Sequence, residues 1–296
     1  MSRAYERAKA RAGWLFIAPA MLLLGAFFVL PVLAGLLLSL TDFDLYALAD
    51  PSSARFVGLD NFAAVLSDAA FWRAFTNTLT FVVIGVPLSL AVSLIAALLL
   101  DHRRARWRGL FRTIYFVPVV TTLVSVAIVW RYLYHPRYGL LNHGLELLGL
   151  GPVDWLGDPR WAMPAIIILA VWKNFGYNML IVLAGLQTIP DVLYEAAAID
   201  GAGAWRRFRH ITLPGLAPTM LFVSLTTLIG YFQLFAEPYV MTQGGPLDST
   251  RSLVLMMYEE GFRWWRMGLA STVAVLLLVI TVVAALVQLR LQRRQS

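Results

Sequence analysis

Six stretches of this chain are long and apolar, and its charges sit in short clusters between them. The runs cover Trp14–Leu40, Ala74–Leu100, Leu110–Tyr132, Met163–Leu186, Leu216–Ala236 and Gly268–Leu289. A bilayer core about 30 Å thick takes roughly 20 residues of apolar helix, so each run is predicted to cross a membrane. Some are longer than that, which permits tilt or a helical extension beyond the bilayer. Pro19, Pro31, Pro87, Pro118 and Pro218 fall inside or near the ends of runs. Prolines are tolerated there when neighbouring helices or local turns satisfy the freed carbonyls. The first run is too long for the apolar core of a cleaved signal peptide, so it is expected to stay as a span. With 59% hydrophobic and 14% charged residues, a water-soluble or disordered chain is excluded. The predicted class is an all-α integral membrane protein with six transmembrane helices.

The charges orient it. Residues 1–13, 101–112, 187–214 and 290–296 together hold fifteen of the 24 Lys/Arg and five of the 17 acids. The remaining segments hold nine and twelve. An excess of Lys/Arg in short loops marks the cytoplasmic side, so both termini are expected in the cytoplasm, a parity that six spans satisfy. Trp14, Trp72, Trp107, Trp130, Tyr132, Tyr134, Trp161, Trp264 and Trp265 lie near run ends and are expected as interfacial anchors.

Several function classes drop out. The net charge of +7 is not gathered into the basic stripe that a nucleic-acid-binding module needs. There is no cysteine, which removes thiolate catalysis and Cys-ligated zinc. The only lysines, Lys9 and Lys173, do not follow the glycines of a phosphate-binding loop. His102, His135, His143 and His210 are scattered, without a zinc-protease spacing, and no serine nucleophile elbow is present. No catalytic residue, no metal site and no cofactor bound by this chain are expected. Uphill transport driven by ATP would need a partner to hydrolyse it.

The cytoplasmic segment 187–214 reads QTIPDVLYEAAAIDGAGAWRRFRHITLP. Pro190 suits a first helical turn, and Thr188 with Asp191 is a weak capping box. Val192, Ala196 and Ile199 then share a face, and Gly201 ends the helix as glycine does just past a C-terminus. A second short helix follows, with Trp205 and Phe208 on one side, Arg206, Arg207 and Arg209 turned away, and Pro214 closing it. The Ala196–Ala198 run offers a surface whose backbone another protein can approach closely. A lipid-hugging amphipathic loop has the same geometry, and residue identity separates the two.

Glu195-Ala196-Ala197, three residues, Gly201, nine residues, Ile211-x-Leu213-Pro214 matches the E-A-A-x₃-G-x₉-I-x-L-P signature at every fixed position. In this the chain resembles the inner-membrane permease subunits of binding-protein-dependent ABC importers. Gly58-Leu59-Asp60-Asn61-Phe62, Asn77-Thr78, Phe111-Arg112, Pro118, Trp172-Lys173, Gly176, Ala184-Gly185-Leu186-Gln187, Gly244-Gly245-Pro246 and Thr250 extend the likeness to the carbohydrate-uptake branch. They are similar to the first-permease type of the maltose, lactose and glycerol-3-phosphate systems. The resemblance implies a type I ABC importer permease fold in a bacterial inner membrane. It implies a cytoplasmic N-terminus, first span and periplasmic loop over 1–72, a transmembrane core over 73–290 and a cytoplasmic tail over 291–296. The loop 187–214 would be a coupling helix docked on an ATPase, with Glu195, Ala196, Ala197, Asp200, Gly201, Ile211, Leu213 and Pro214 at the contact. The implied partners are a second permease, two ATP-binding cassette subunits carrying ATP and Mg, and a periplasmic or lipid-anchored solute-binding protein.

A charged residue within a span is a functional candidate. Lys173 lies in the fourth run, and Asn174 shares a face with Tyr177 and Asn178. In the fifth, Thr227 and Tyr231 are an i, i+4 pair, with Gln233 beside them and Glu237 at the outer end. Hydroxyl-binding groups beside aromatic rings suit a sugar-like solute, so Lys173, Asn174, Tyr177, Asn178, Thr227, Tyr231 and Gln233 are expected along its pathway. The same amides serve equally to bond helix to helix, and Lys173 to pair with Glu237. A secondary transporter coupled to an ion gradient and working without an ATPase is the alternative; Glu237 is the one acid near a span that could serve it.

Overall fold

The structure, a computed structural model, describes residues 3–101 and 107–293. His102, the cluster Arg103, Arg104 and Arg106, and Arg294 lie outside them. The described residues are helical, apart from turns and one antiparallel bridge between Thr41 and Phe56. The main helices are α1 (Gly13–Leu38), α2 (Ala69–Asp101), α3 (Arg108–Val120), α4 (Leu123–Leu133) and α5 (Pro159–Leu186). They continue as α6 (Asp191–Ile199), α7 (Ala204–Gly215), α8 (Ala217–Phe232), α9 (Ala236–Met241) and α10 (Met267–Arg293).

Four of these helices, α1, α2, α5 and α10, are long and apolar enough to cross a membrane, and two bent pairs bring the number to six if each is one span. Helices α3 and α4 meet at 101°, and α7 and α8 at 66°. The third apolar run is therefore a broken helix, whereas the bend between α7 and α8 falls at the first residue of the fifth. In the third, Pro118 supplies no N–H, and Thr121 and Thr122 turn extended, with ψ of 148° and 138°. The Thr122 hydroxyl then accepts from the Ser125 N–H at 3.4 Å and starts α4. Where the fifth begins, Pro214 and Pro218 flank the bend at Leu216.

The chain divides into two compact units, Met1–Asp68 with Met257–Leu276, and Ala69–Met256 with Leu277–Ser296. In the first, Asn61 of the sequence motif donates its amide to the carbonyls of Ser39 at 3.0 Å and Thr41 at 2.7 Å, tying down the chain that leaves α1. Gly268 packs on the Thr41 carbonyl, where a Cβ would collide, and its N–H donates to Phe43. Arg55 donates to Asp42 through its Nε at 2.9 Å and its backbone N–H, and these bonds hold the Asp42 carboxyl below the ordinary carboxylate range.

The second unit is built on α5, which packs against α2, α3 and α8. Small residues permit the close approach that membrane helices use in place of hydrophobic burial. A Cβ at Gly176 would strike the backbone of Tyr115, and one at Gly185 the side chain of Thr219. The Ser93 hydroxyl of α2 donates to the Phe175 carbonyl of α5 at 3.1 Å. Asn77 and Thr78 hold the segment after α9: Asn77 donates to the carbonyls of Asp248 (2.6 Å) and Arg251 (3.0 Å), and Thr78 accepts from the Leu253 N–H. Thr250 closes the Gly244-Gly245-Pro246 turn by donating to the Gly245 carbonyl at 2.7 Å.

Two of the expected interfacial anchors are core residues instead. Trp130 and Tyr134 are buried, and the Tyr134 hydroxyl donates to the Ala165 carbonyl at 2.8 Å. The bend after α3 lays α4 against α9, which carries the two rings inward.

Candidate functional site

A cavity of about 500 Å³ opens within the second unit. Helix α5 contributes Asn174, Tyr177 and Asn178 to its wall, and α8 contributes Thr226, Thr227, Gly230 and Tyr231. The turn into α9 adds Gln233, Phe235 and Glu237, α2 adds Phe81, and Val119 and Leu123 flank the break between α3 and α4. The 3.6-residue period stacks positions i, i+3 and i+4 on one face. That period puts the three α5 residues together and aligns Thr227 with Tyr231.

Six of the seven predicted pathway residues therefore share this wall: Asn174, Tyr177, Asn178, Thr227, Tyr231 and Gln233. Tyr177 is half exposed. Asn178 is buried and donates to the Thr227 hydroxyl at 3.0 Å, so this pair also binds α5 to α8. Tyr231 stacks on Phe81 with ring centroids 4.8 Å apart, and its ring lies over Gly85, where a Cβ would come within 2.6 Å of Cε1. The Tyr231 hydroxyl is buried on the cavity wall beside the polar side chains of Ser89 and Asn174.

Lys173 does not line the cavity. Its ammonium donates to the carbonyls of Pro118 at 2.9 Å, Thr121 at 3.0 Å and Val119 at 3.5 Å. These carbonyls belong to the end of α3, where the break leaves them without helical partners and where the helix dipole favours a cation. Glu237 is the missed residue. It lies buried on the wall, close enough for its charge to act on Lys173. Its sequence signal was its position as an acid at a span end, which does not say which way the carboxyl faces.

The segment 187–214 forms α6 and most of α7, but Pro214 does not close the second helix, which runs through it to Gly215. Gly201 has φ +69°, and the Ala202 N–H donates to the Ala197 carbonyl at 2.8 Å, closing α6 in the turn that glycine favours. Glu195, Ala196, Asp200, Leu213 and Pro214 are exposed, Ala197 and Ile211 half-buried. Val192 and Ile199 are exposed too, so the shared face is uncovered. Trp205 and Phe208 pack together at 5.5 Å, and the Tyr194 and Thr212 hydroxyls, 2.9 Å apart, tie α6 to the chain after it. The start of α6 differs from expectation. Pro190 is the N-cap rather than part of the first turn, and the Thr188 hydroxyl donates back to the Gly185 carbonyl instead of capping α6.

Broken apolar helices around a polar cavity, with an exposed helix–glycine–helix on a connecting loop, define a membrane permease component. The chain belongs to the family of binding-protein-dependent transport system inner membrane components, whose profile matches residues 89–296. It is 38% identical to the lactose transport system permease protein LacF of Rhizobium radiobacter over 96% of this chain and 95% of that one. It is 35% identical to the sn-glycerol-3-phosphate transport system permease protein UgpA of Agrobacterium fabrum (strain C58), over 94% and 93%. Among solved structures, it matches one chain of a bacterial ABC transporter involved in the import of the acidic polysaccharide alginate. That match covers 99% of both chains, with a TM-score of 0.80 and 25% identity.

Proposed function

We propose that this chain is one permease subunit of an ATP-driven importer and forms the translocation pathway for a sugar or related polyol. The observation that carries the reading is the cavity between α5 and α8. Its amides, hydroxyls and aromatic rings match the donors, acceptors and flat faces of a polyhydroxyl solute. In this reading both termini lie in the cytoplasm of a bacterial cell and the six spans sit in its inner membrane.

Coupling runs through α6 and the loop around Gly201. Glu195, Ala196, Ala197, Asp200 and Gly201 dock on a partner ATPase, with Ile211, Leu213 and Pro214 carrying its movement into α8. Two such ATPase subunits hold ATP and Mg; this chain hydrolyses nothing. Their closure rotates this subunit and a second permease between inward- and outward-facing states, a rigid-body form of alternating access. A periplasmic or lipid-anchored solute-binding protein delivers the solute.

Reconstitution in proteoliposomes tests this. Uptake is expected to require ATP, both permeases and the ATPase subunits, and Tyr177→Ala is expected to lower it about tenfold, a loss of roughly 1.4 kcal/mol, with the complex still assembled. Gradient-driven uptake by this chain alone contradicts the proposal.

A further inference from the structure

The family leaves the charge of the solute open, since relatives are named for lactose and for glycerol 3-phosphate, and a structural neighbour for an acidic polysaccharide. The cavity wall does not. Of the residues that line it, Glu237 is the one acidic or basic side chain. Lys173, the nearby cation, has its ammonium committed to the Pro118, Val119 and Thr121 carbonyls. Arg131 lines a separate cavity with His135 and Tyr138. With Glu237 ionised, the lining itself carries a negative charge and no positive one.

Resting on the pathway reading above, we infer that this cavity accepts uncharged polyhydroxyl solutes and rejects anionic ones, with Glu237 as the specificity-determining residue. An anion entering it surrenders hydration and meets the Glu237 carboxylate, while the Lys173 ammonium is held off the wall by backbone carbonyls and its charge is offset by Glu237. A neutral sugar donates hydroxyl protons to the carboxylate instead, a charge-assisted bond stronger than a neutral one.

The test uses the assembled transporter purified without its receptor, so that receptor selectivity plays no part. Binding is read by saturation-transfer NMR for matched pairs: lactose and lactobionate, maltose and maltobionate, glycerol and glycerol 3-phosphate. A neutral member is expected to bind about tenfold or more tightly than its anionic counterpart, and Glu237→Gln to narrow that ratio. Equal binding within the pairs, or a ratio that Glu237→Gln leaves unchanged, overturns the inference while the cavity keeps its role. Failure of every neutral member to bind contradicts the pathway reading itself, and the inference with it.

Discussion

The ammonium of Lys173 lies 3.0 Å from the carbonyl oxygen of Thr121, at the point where α3 and α4 meet at 101°. A residue in the middle of α5 thus closes the broken backbone between α3 and α4, and that explains how a lysine is tolerated there. Val119 and Leu123, on either side of the break, both reach the cavity, so Lys173 is a positioning residue for the wall.

Lys173→Met is predicted to act on stability more than on solute recognition. It leaves carbonyls at the end of α3 without their charged donor, a loss of about 1.5–3 kcal/mol. The detergent-solubilised complex should unfold several degrees lower, while the apparent affinity for solute in the surviving fraction changes little. Unchanged melting with a large loss of affinity is the opposite result, and it would return Lys173 to the solute's side.

The expectation for Gly85→Ala is different, because its added Cβ meets the Tyr231 ring at 2.6 Å rather than backbone. Overpacking of this kind costs about 1–3 kcal/mol, and the ring can yield only by leaving Phe81. Uptake kinetics should show a raised KM with the complex intact. Wild-type kinetics would mean that the ring's placement is irrelevant to the solute.

For Gly176→Ala the neighbour is the backbone of Tyr115, which cannot swing aside. A destabilisation of about 1–3 kcal/mol is predicted, seen as a poorer yield of assembled complex. A yield and melting temperature equal to wild type would show that α3 and α5 pack less closely than described.

At Gly201 there is open space for a side chain, but φ is +69°. Gly201→Ala therefore pays only the left-handed backbone strain, about 1 kcal/mol, and should weaken solute-stimulated ATP hydrolysis modestly. Gly201→Asp adds bulk and charge on the proposed docking face and should abolish it while the chain still inserts. Full stimulation in Gly201→Asp would remove this loop from the coupling mechanism.

Local periodicity made much of this legible. The spacing of Asn174, Tyr177 and Asn178, and of Thr227 and Tyr231, is enough to place each set on one helix face, and those faces meet at the cavity. Gly201 is likewise readable, since a glycine after a short amphipathic helix has a specific backbone use. Long-range backbone geometry was not legible. Hydropathy sees Leu110–Tyr132 as one run, because Pro118 alone is compatible with a straight span, and the lysine that caps the break is more than fifty residues away. Trp130 and Tyr134 look like interfacial anchors until that bend turns them inward, and the Thr188 hydroxyl finds the end of α5 before the start of α6. Glu237 was visible as an acid near a span, but its facing depends on the turn after α8.

The absence of cysteine in the natural chain permits the most direct test of the pathway. Tyr177→Cys, assembled with cysteine-free partners, places a single thiol on the cavity wall, and its rate of modification by a small methanethiosulfonate reagent can be followed during turnover. Saturating transported solute should slow that modification about tenfold, with no such protection for a thiol introduced by Val192→Cys on the exposed face of α6. A rate at Tyr177→Cys that is indifferent to solute would contradict the account.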